Sequence, residues 1–352
     1  RSGRLEADGK YRGIGLATIA EHTGMGSSRI RSRGIASRVP GYDSAVVRIG
    51  PDGRAVVHVS HASQGQGHET VFAQLAAETL GVDLASVSVE EGDTALAPFG
   101  MGTVASRGAV SGGGAVLRAS RQVADKLQRL AGQVLEASPA DIVLGQGVAS
   151  IVGVPDRKVA IDELARIAHL VAPVMPPPGE TLGLEAVDTF DPPTASYSNA
   201  THVAQVAVDA TTCRVTIEGY WVVHDCGRLI NPMIVDGQIQ GGVAQGIGEA
   251  LMEAVEYSDD GQPLTTTLID YVLPTSLDVP LMTVAHVETP STTTEGGMKG
   301  VGEGGVIGSV PAVALAIADA LSSFSPGINR VPLTPAAIFA LLGSDAAPPD
   351  RR

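Results

Sequence analysis

Four glycine-rich segments constrain this chain more than any other feature. They lie at 64–68 (QGQGH), 100–114 (GMGTVASRGAVSGGG), 237–248 (GQIQGGVAQGIG) and 296–308 (GGMKGVGEGGVIG), and the pattern places each where a helix begins. Backbone N–H groups at a helix start lack partners and favour anions, and glycine removes the side chain that would keep a ligand at a distance. One such loop is most simply a tight turn. Four in one chain of 352 residues point to a long, phosphate-bearing ligand touched from several sides. Glutamines accompany them at Gln64, Gln66, Gln238, Gln240 and Gln245. A primary amide donates and accepts at once, as a heterocyclic ligand requires, and it also serves as a helix cap, so both readings stand.

The runs between these segments read as alternating strands and helices. β-branched residues on both sides of PDG in 44–61 predict a hairpin. In ETVFAQLAAETLGV, Val71, Leu75 and Leu80 recur at helical spacing and Gly81 marks the stop. Further helices are expected over 115–135, over 233–256 and after 308, the last with Pro311 in its first turn. VDLASVSVEEGD and LMTVAHVET read as strands, and THVAQVAVDATTCRVTIEGYWVVHDCG as a hairpin turning at DATT. The proline-rich stretch 172–196 is expected to be an exposed connection. The fold class is therefore α+β, with sub-domains over 1–171 and 197–345.

Composition excludes several classes. A net charge of −14 repels phosphate backbones and anionic membranes. No apolar run reaches the roughly 18 residues of a spanning helix, which makes a soluble cytoplasmic protein the default. Cys213 and Cys226 form no CxxC pair. GxxxxGK[ST], GxSxG and HExxH are all missing, and GVGEGG does not open a dinucleotide-binding unit. His58 and His61, three apart on a strand, face opposite sides and cannot share a metal. His68 is a stronger candidate, although helix capping explains it equally well. Glu303 stands apart. The helix dipole alone would hold a carboxylate there by ~0.3–1 kcal/mol. Its neighbours Val301, Val306 and Ile307, with only Lys299 for a charge partner, predict burial, a raised pKa and a usable general base.

The set QGQGHET (64–70), DTALAPFGMGTVASRG (93–108), HDCGRLINP (224–232), GQIQGGVAQGIGEAL (237–251) and KGVGEGGVIG (299–308) resembles the molybdenum hydroxylases, which include xanthine dehydrogenase, aldehyde oxidoreductase and aerobic carbon monoxide dehydrogenase. The likeness runs over about residues 10–340 and corresponds to the C-terminal half of that family's molybdopterin-binding large subunit. The resemblance implies a molybdenum–molybdopterin cofactor, in the cytosine dinucleotide form, with no protein ligand to the metal. It assigns Glu303 as the base that activates the hydroxyl group on molybdenum. It places Gln66, Gly67, His68 and Gln245 on the pterin or its pyrophosphate. A loop from Thr103 to Arg107 would lie beside the metal, with Ala105 and Ser106 nearest, and Lys299 would be an electrostatic neighbour of Glu303. The implied activity is hydroxylation of an aldehyde or N-heterocycle with oxygen from water, or oxidation of carbon monoxide. GIGLATIAE sets Ala17 where purine hydroxylases carry a stacking phenylalanine, which weakens a purine reading. FAD, [2Fe-2S] and the N-terminal molybdenum-binding half would come from partner chains. A non-catalytic cofactor-carrying or assembly module is the alternative, and the presence of Glu303 argues against it.

Overall fold

Side chains alternate between buried and exposed along Lys10–Thr23, the period of a strand with one wet face, and in the computed structural model these residues form β1. The structure describes residues 3–27, 41–171 and 182–342. After β1 come β2 (Asp43–Ile49), β3 (Ala55–Val59), α1 (His68–Leu80) and β4 (Val87–Glu91). A π-helical turn, Gly108–Gly112, runs into α2 (Gly113–Val134). Then follow β5 (Ile142–Gly145), β6 (Val148–Ile151), β7 (Val154–Ala160) and α3 (Ile161–Leu170). The remainder comprises β8 (Leu184–Phe190), β9 (Ser196–Asp209), β10 (Val215–Asp225), α4 (Pro232–Leu251), β11 (Met282–His286), α5 (Gly304–Ala320) and α6 (Pro335–Leu342).

Two mixed sheets carry two cores. One sheet has the order β4-β3-β2-β8, with only β3 and β4 parallel, and the aliphatic faces of α1 and α2 close over it. The other has the order β1-β9-β10-β11, with only β10 and β11 parallel, and is covered by α5 and then α4. The three short strands β5, β6 and β7 form a small antiparallel sheet beside the first core. The sheets do not follow the chain linearly. β1 joins the sheet built otherwise from 196–286, and β8 is an edge strand of the first sheet. Residues 184–190, expected in an exposed connection, thus contribute buried Leu184, Ala186 and Phe190 to a core; 172–181 of that connection lie outside the described residues.

The expected elements recur with three corrections. The glycine-rich run 237–248 lies inside α4, which begins at Pro232 with Asn231 accepting the Ile234 N–H at 3.1 Å. Glycine is needed there because α4 crosses α5 closely: a Cβ on Gly242 would fall 2.8 Å from Gly305 Cα. Pro311 lies well inside α5 rather than in its first turn. It faces solvent, so the carbonyl that it leaves without a donor is not buried, and burial of Ala312, Ala316 and Ala320 holds the helix through it. α4 ends at Leu251, short of 256. The irregular segment 252–281 that follows leaves Leu268, Ile269, Leu277 and Leu281 exposed, the last at 99%. Among the described residues no helix is long and apolar enough to cross a membrane.

α5 lies flat on β1 because glycines at inward positions leave room for its backbone. A Cβ on Gly15 would fall 2.0 Å from the Ala312 carbonyl oxygen and 2.4 Å from the Ala316 nitrogen. Neither backbone atom can rotate away, so Gly15→Ala is expected to lower stability by about 1–3 kcal/mol, as overpacking does, read as a lower urea midpoint at unchanged slope.

Candidate active site

A cleft of about 500 Å³ opens where the two cores meet. Its walls are the start of α1, the loop 103–109, one face of α4 and the strip 298–303 that leads into α5. Nine of the ten candidate residues line it, from Gln66 and His68 through Thr103, Ala105, Ser106 and Arg107 to Gln245, Lys299 and Glu303. The tenth, Gly67, supports the rim: its φ of 77° ends the loop before α1, and a Cβ there would meet Ile234 of α4 at 2.8 Å. Gln238 and Gln64 also face the cleft, whereas Gln240 does not line it.

Each wall has its own brace. Gln66 accepts the Gln64 N–H at 2.5 Å through its side-chain oxygen, and Thr103 donates to the Ala62 carbonyl at 2.7 Å. Ala105 and Ser106 both adopt left-handed backbone, φ 48° and 50°, a strained pair of non-glycine residues of the kind that the surrounding structure must hold in place. Arg107 supplies that hold. It is fully buried, and its guanidinium turns away from the cleft to pair with Asp43 and to donate to the carbonyls of Gly102 at 2.8 Å and Gly41 at 2.7 Å. Gln245 donates to Glu249 at 3.0 Å one turn along α4. His68 is buried against Phe72, its ring centroid 4.8 Å away, and burial lowers its pKa to about 4, so it faces the site as neutral imidazole.

Two expectations about the base are corrected. Glu303 caps α5 at the cleft but is exposed, not buried: its neighbours Gly302 and Gly304 carry no side chains to cover it. Lys299 does not pair with it. The Lys299 ammonium lies 3.3 Å from Asp225, largely buried, and that carboxylate takes its charge. What does hold Glu303 is its own N–H, which donates to Ser106 Oγ at 2.9 Å and ties the start of α5 to the strained loop. Ala17 is buried in the second core and does not line the cleft, so no stacking position exists at that residue. Among the described residues no cluster of His, Cys, Asp and Glu could hold a metal ion, and Cys226, at the cleft wall, has its thiol pushed up to about 12 by burial.

Comparison with known proteins assigns the family. A family model described as the molybdopterin cofactor-binding domain matches residues 1–280. The nicotine 6-hydroxylase large subunit of Paenarthrobacter nicotinovorans is 38% identical over 327 residues, 93% of this chain and 40% of the relative. The chain belongs to the molybdenum hydroxylase large subunits. The carbon monoxide dehydrogenase large chain of Hydrogenophaga pseudoflava is 35% identical over 88% of the chain and 38% of the relative. Crystalline quinoline 2-oxidoreductase from Pseudomonas putida 86 superposes with a TM-score of 0.90 at 43% identity, over 96% of this chain and 42% of that one. The chain thus spans about two-fifths of the length of these family members. The cleft suits a pterin: amides of Gln66, Gln238 and Gln245 converge on it, and a Cβ on Gly241 would meet no protein atom within 4 Å. A glycine inside a helix with open space before it is accounted for by a ligand that lies against the backbone.

Sequence reasoning missed two acids, Asp43 and Glu21. Both occupy buried positions in strands that otherwise place apolar residues there, Asp43 in phase with Ala45, Val47 and Ile49, and Glu21 in phase with Gly15 and Ala17. An acid in the inward register of a strand was the available signal.

Breaking the buried Arg107–Asp43 pair strands a cation, so Asp43→Ala is expected to lower stability by about 3–5 kcal/mol in urea unfolding, and the double change Asp43→Leu with Arg107→Met to recover most of that loss. A pH dependence follows from four buried imidazoles. Burial lowers His61 from 6.5 to about 2 and His68, His202 and His224 from 6.5 to about 4. The unfolded chain therefore binds more protons below pH 6.5, and the stability present above that value is lost as the pH falls toward 4. Glu91, raised to about 7 by burial, titrates in the opposite sense, so the imidazoles are isolated by comparison: between pH 7 and pH 4 the urea midpoint of His202→Gln is expected to fall less than that of the parent.

Proposed function

We propose that this chain forms the cofactor-facing, base-bearing part of a molybdenum hydroxylase acting on an N-heterocycle or an aldehyde. The observation that carries this reading is the placement of Glu303 on the cleft at the start of α5, tied to the loop that also presents Ala105 and Ser106. N-heterocycles come first because nicotine 6-hydroxylase and quinoline 2-oxidoreductase are among the similar proteins. Carbon monoxide oxidation is the second reading, favoured by the 35% identity to a carbon monoxide dehydrogenase large chain.

When bound, the molybdenum cofactor supplies the two-electron redox chemistry by which an oxygen atom from water replaces hydrogen on an electron-poor carbon. The chain's own residues bind, orient and move protons. Gln66, Gln245 and Gly67 would meet the pterin edge and its pyrophosphate, with neutral His68 as a further hydrogen-bonding neighbour. The backbone of Thr103, Ala105 and Ser106, held from behind by Arg107, would form the wall beside the metal. Lys299 adds a fixed positive charge at the same wall, moderated by Asp225. Glu303 Oε accepts the proton released as the water-derived oxygen bonds to carbon, and solvent at the cleft mouth carries it away. Substrate loses two electrons and one hydrogen and gains one hydroxyl. The four glycine-rich segments, with Gly241 facing open space, offer room for the longer cytosine dinucleotide form. Electrons would leave through [2Fe-2S] and FAD carried by partner chains, and the N-terminal molybdenum-binding half would close the cleft, all in the cytoplasm.

In the assembled enzyme, Glu303→Gln is expected to lower kcat at least about 100-fold while molybdenum content, measured by elemental analysis, is unchanged. Turnover at the original rate would remove Glu303 from the mechanism.

A further inference from the structure

Glu21 takes no part in the reading above, yet it lies directly behind Glu303. It belongs to β1, is 3% exposed, and faces inward with its neighbours in the strand register. Ser198 of β9 donates to its Oε2 at 3.2 Å, and its Oε1 has no hydrogen bond. Burial raises its pKa and the Glu303 carboxylate raises it further, while the Ser106 hydroxyl, the Ser198 hydroxyl and the Glu303 N–H act in the opposite sense. The same Ser106 oxygen accepts the Glu303 N–H at 2.9 Å.

The packing is tight on every side. A Cβ on Gly304 would fall 2.5 Å from His224 Nε2 and 3.3 Å from Glu21 Oε2, so the first residue of α5 rests on both side chains. His202 of β9 reaches the Gly304 carbonyl at 3.1 Å and the Tyr220 hydroxyl of β10 at 3.0 Å. The titratable groups around the start of α5 are thus Glu21 from β1, His202 from β9, Tyr220 and His224 from β10, and Glu303 itself. An aliphatic residue would fill the Glu21 position without the expense of burying a carboxyl that has one oxygen unpaired. The acid is explained by what it holds.

We propose that Glu21 is a positioning residue: held by Ser198 and packed beneath Gly304, it fixes the start of α5 and aims the Glu303 carboxylate into the cleft. This rests on Glu303 being the base. Misplacing a reacting group by about 1 Å is enough to slow a reaction about 100-fold without weakening substrate binding.

The test uses the complete assembled enzyme with quinoline as substrate. Glu21→Leu is expected to lower kcat about 10- to 100-fold, with KM within about twofold of the parent and molybdenum content unchanged. Glu21→Gln, which keeps an oxygen for the Ser198 proton, is expected to retain kcat within about threefold. Ser198→Ala added to Glu21→Leu should cost little beyond the single change, because Ser198 acts on α5 only through Glu21. A crystal structure of the Glu21→Leu enzyme is expected to show the Glu303 carboxylate displaced. If the leucine variant fails to assemble, Glu21→Asp, which withdraws the carboxyl by one methylene, carries the same expectations. Parent kcat in Glu21→Leu, or full additivity with Ser198→Ala, would overturn the proposal. Glu303→Gln run in parallel separates the two failures: turnover there removes the base itself, whereas its loss beside an unaffected Glu21→Leu removes only the positioning role.

Discussion

One hydrogen bond, from the Glu303 N–H to Ser106 Oγ, joins the two halves of the site. Glu303 begins the helix that covers the second sheet, and Ser106 ends the loop that leads into the helices over the first. Neither end is free to choose its place. α5 is set by small residues lying on β1, and the loop is set by Arg107 reaching back to Asp43 and to the carbonyls of Gly102 and Gly41. The cleft is what remains where two separately packed cores meet, at this bond and at contacts such as Asn231 to Gln74 and Arg228 to Glu78. Its polar lining therefore rests on apolar packing some distance away, and the strain at Ala105 and Ser106 is tolerable because both flanks are fixed.

Much of this was legible in the sequence because periodicity and glycine spacing report directly on backbone. The strand–turn–strand around PDG, the helix beginning near Glu69 and the hairpin at DATT all follow from patterns a few residues long. What escaped was set by long-range packing. Glycines in 237–248 read as a helix start because their helix propensity is poor, yet they lie inside α4, where its crossing with α5 demands Gly242 and Gly246. Pro311 reads as a helix start, yet the buried alanines of α5 carry the helix through it. β1 was not foreseen as a partner of β9, since nothing local in 10–23 announces a strand almost 190 residues away.

The candidate residues were legible for a different reason. Their motifs concentrate glycine, amide and one carboxylate at helix ends, and those groups converge on one cleft. Their individual surroundings were not legible. Burial of Glu303 was inferred from apolar neighbours in sequence, but the residues on either side of it, Gly302 and Gly304, have no side chains to cover it. The partner of Lys299 was sought nearby in the chain and was found on β10, at Asp225. The acids that organise the site from behind, Asp43 and Glu21, belong to no motif and are visible only as polar residues in an inward strand register.

The segment 252–281 has a bearing on how such a subunit is made. Leu268, Ile269, Leu277 and Leu281 project from irregular backbone, and covering each would contribute roughly 1.5–3 kcal/mol. Until something lies over them they form a greasy arm on an acidic body, inviting clumping and surveillance by chaperones. A ribosome releasing this stretch ahead of its cover would need the delay filled, so timing of synthesis matters to yield as much as intrinsic folding does.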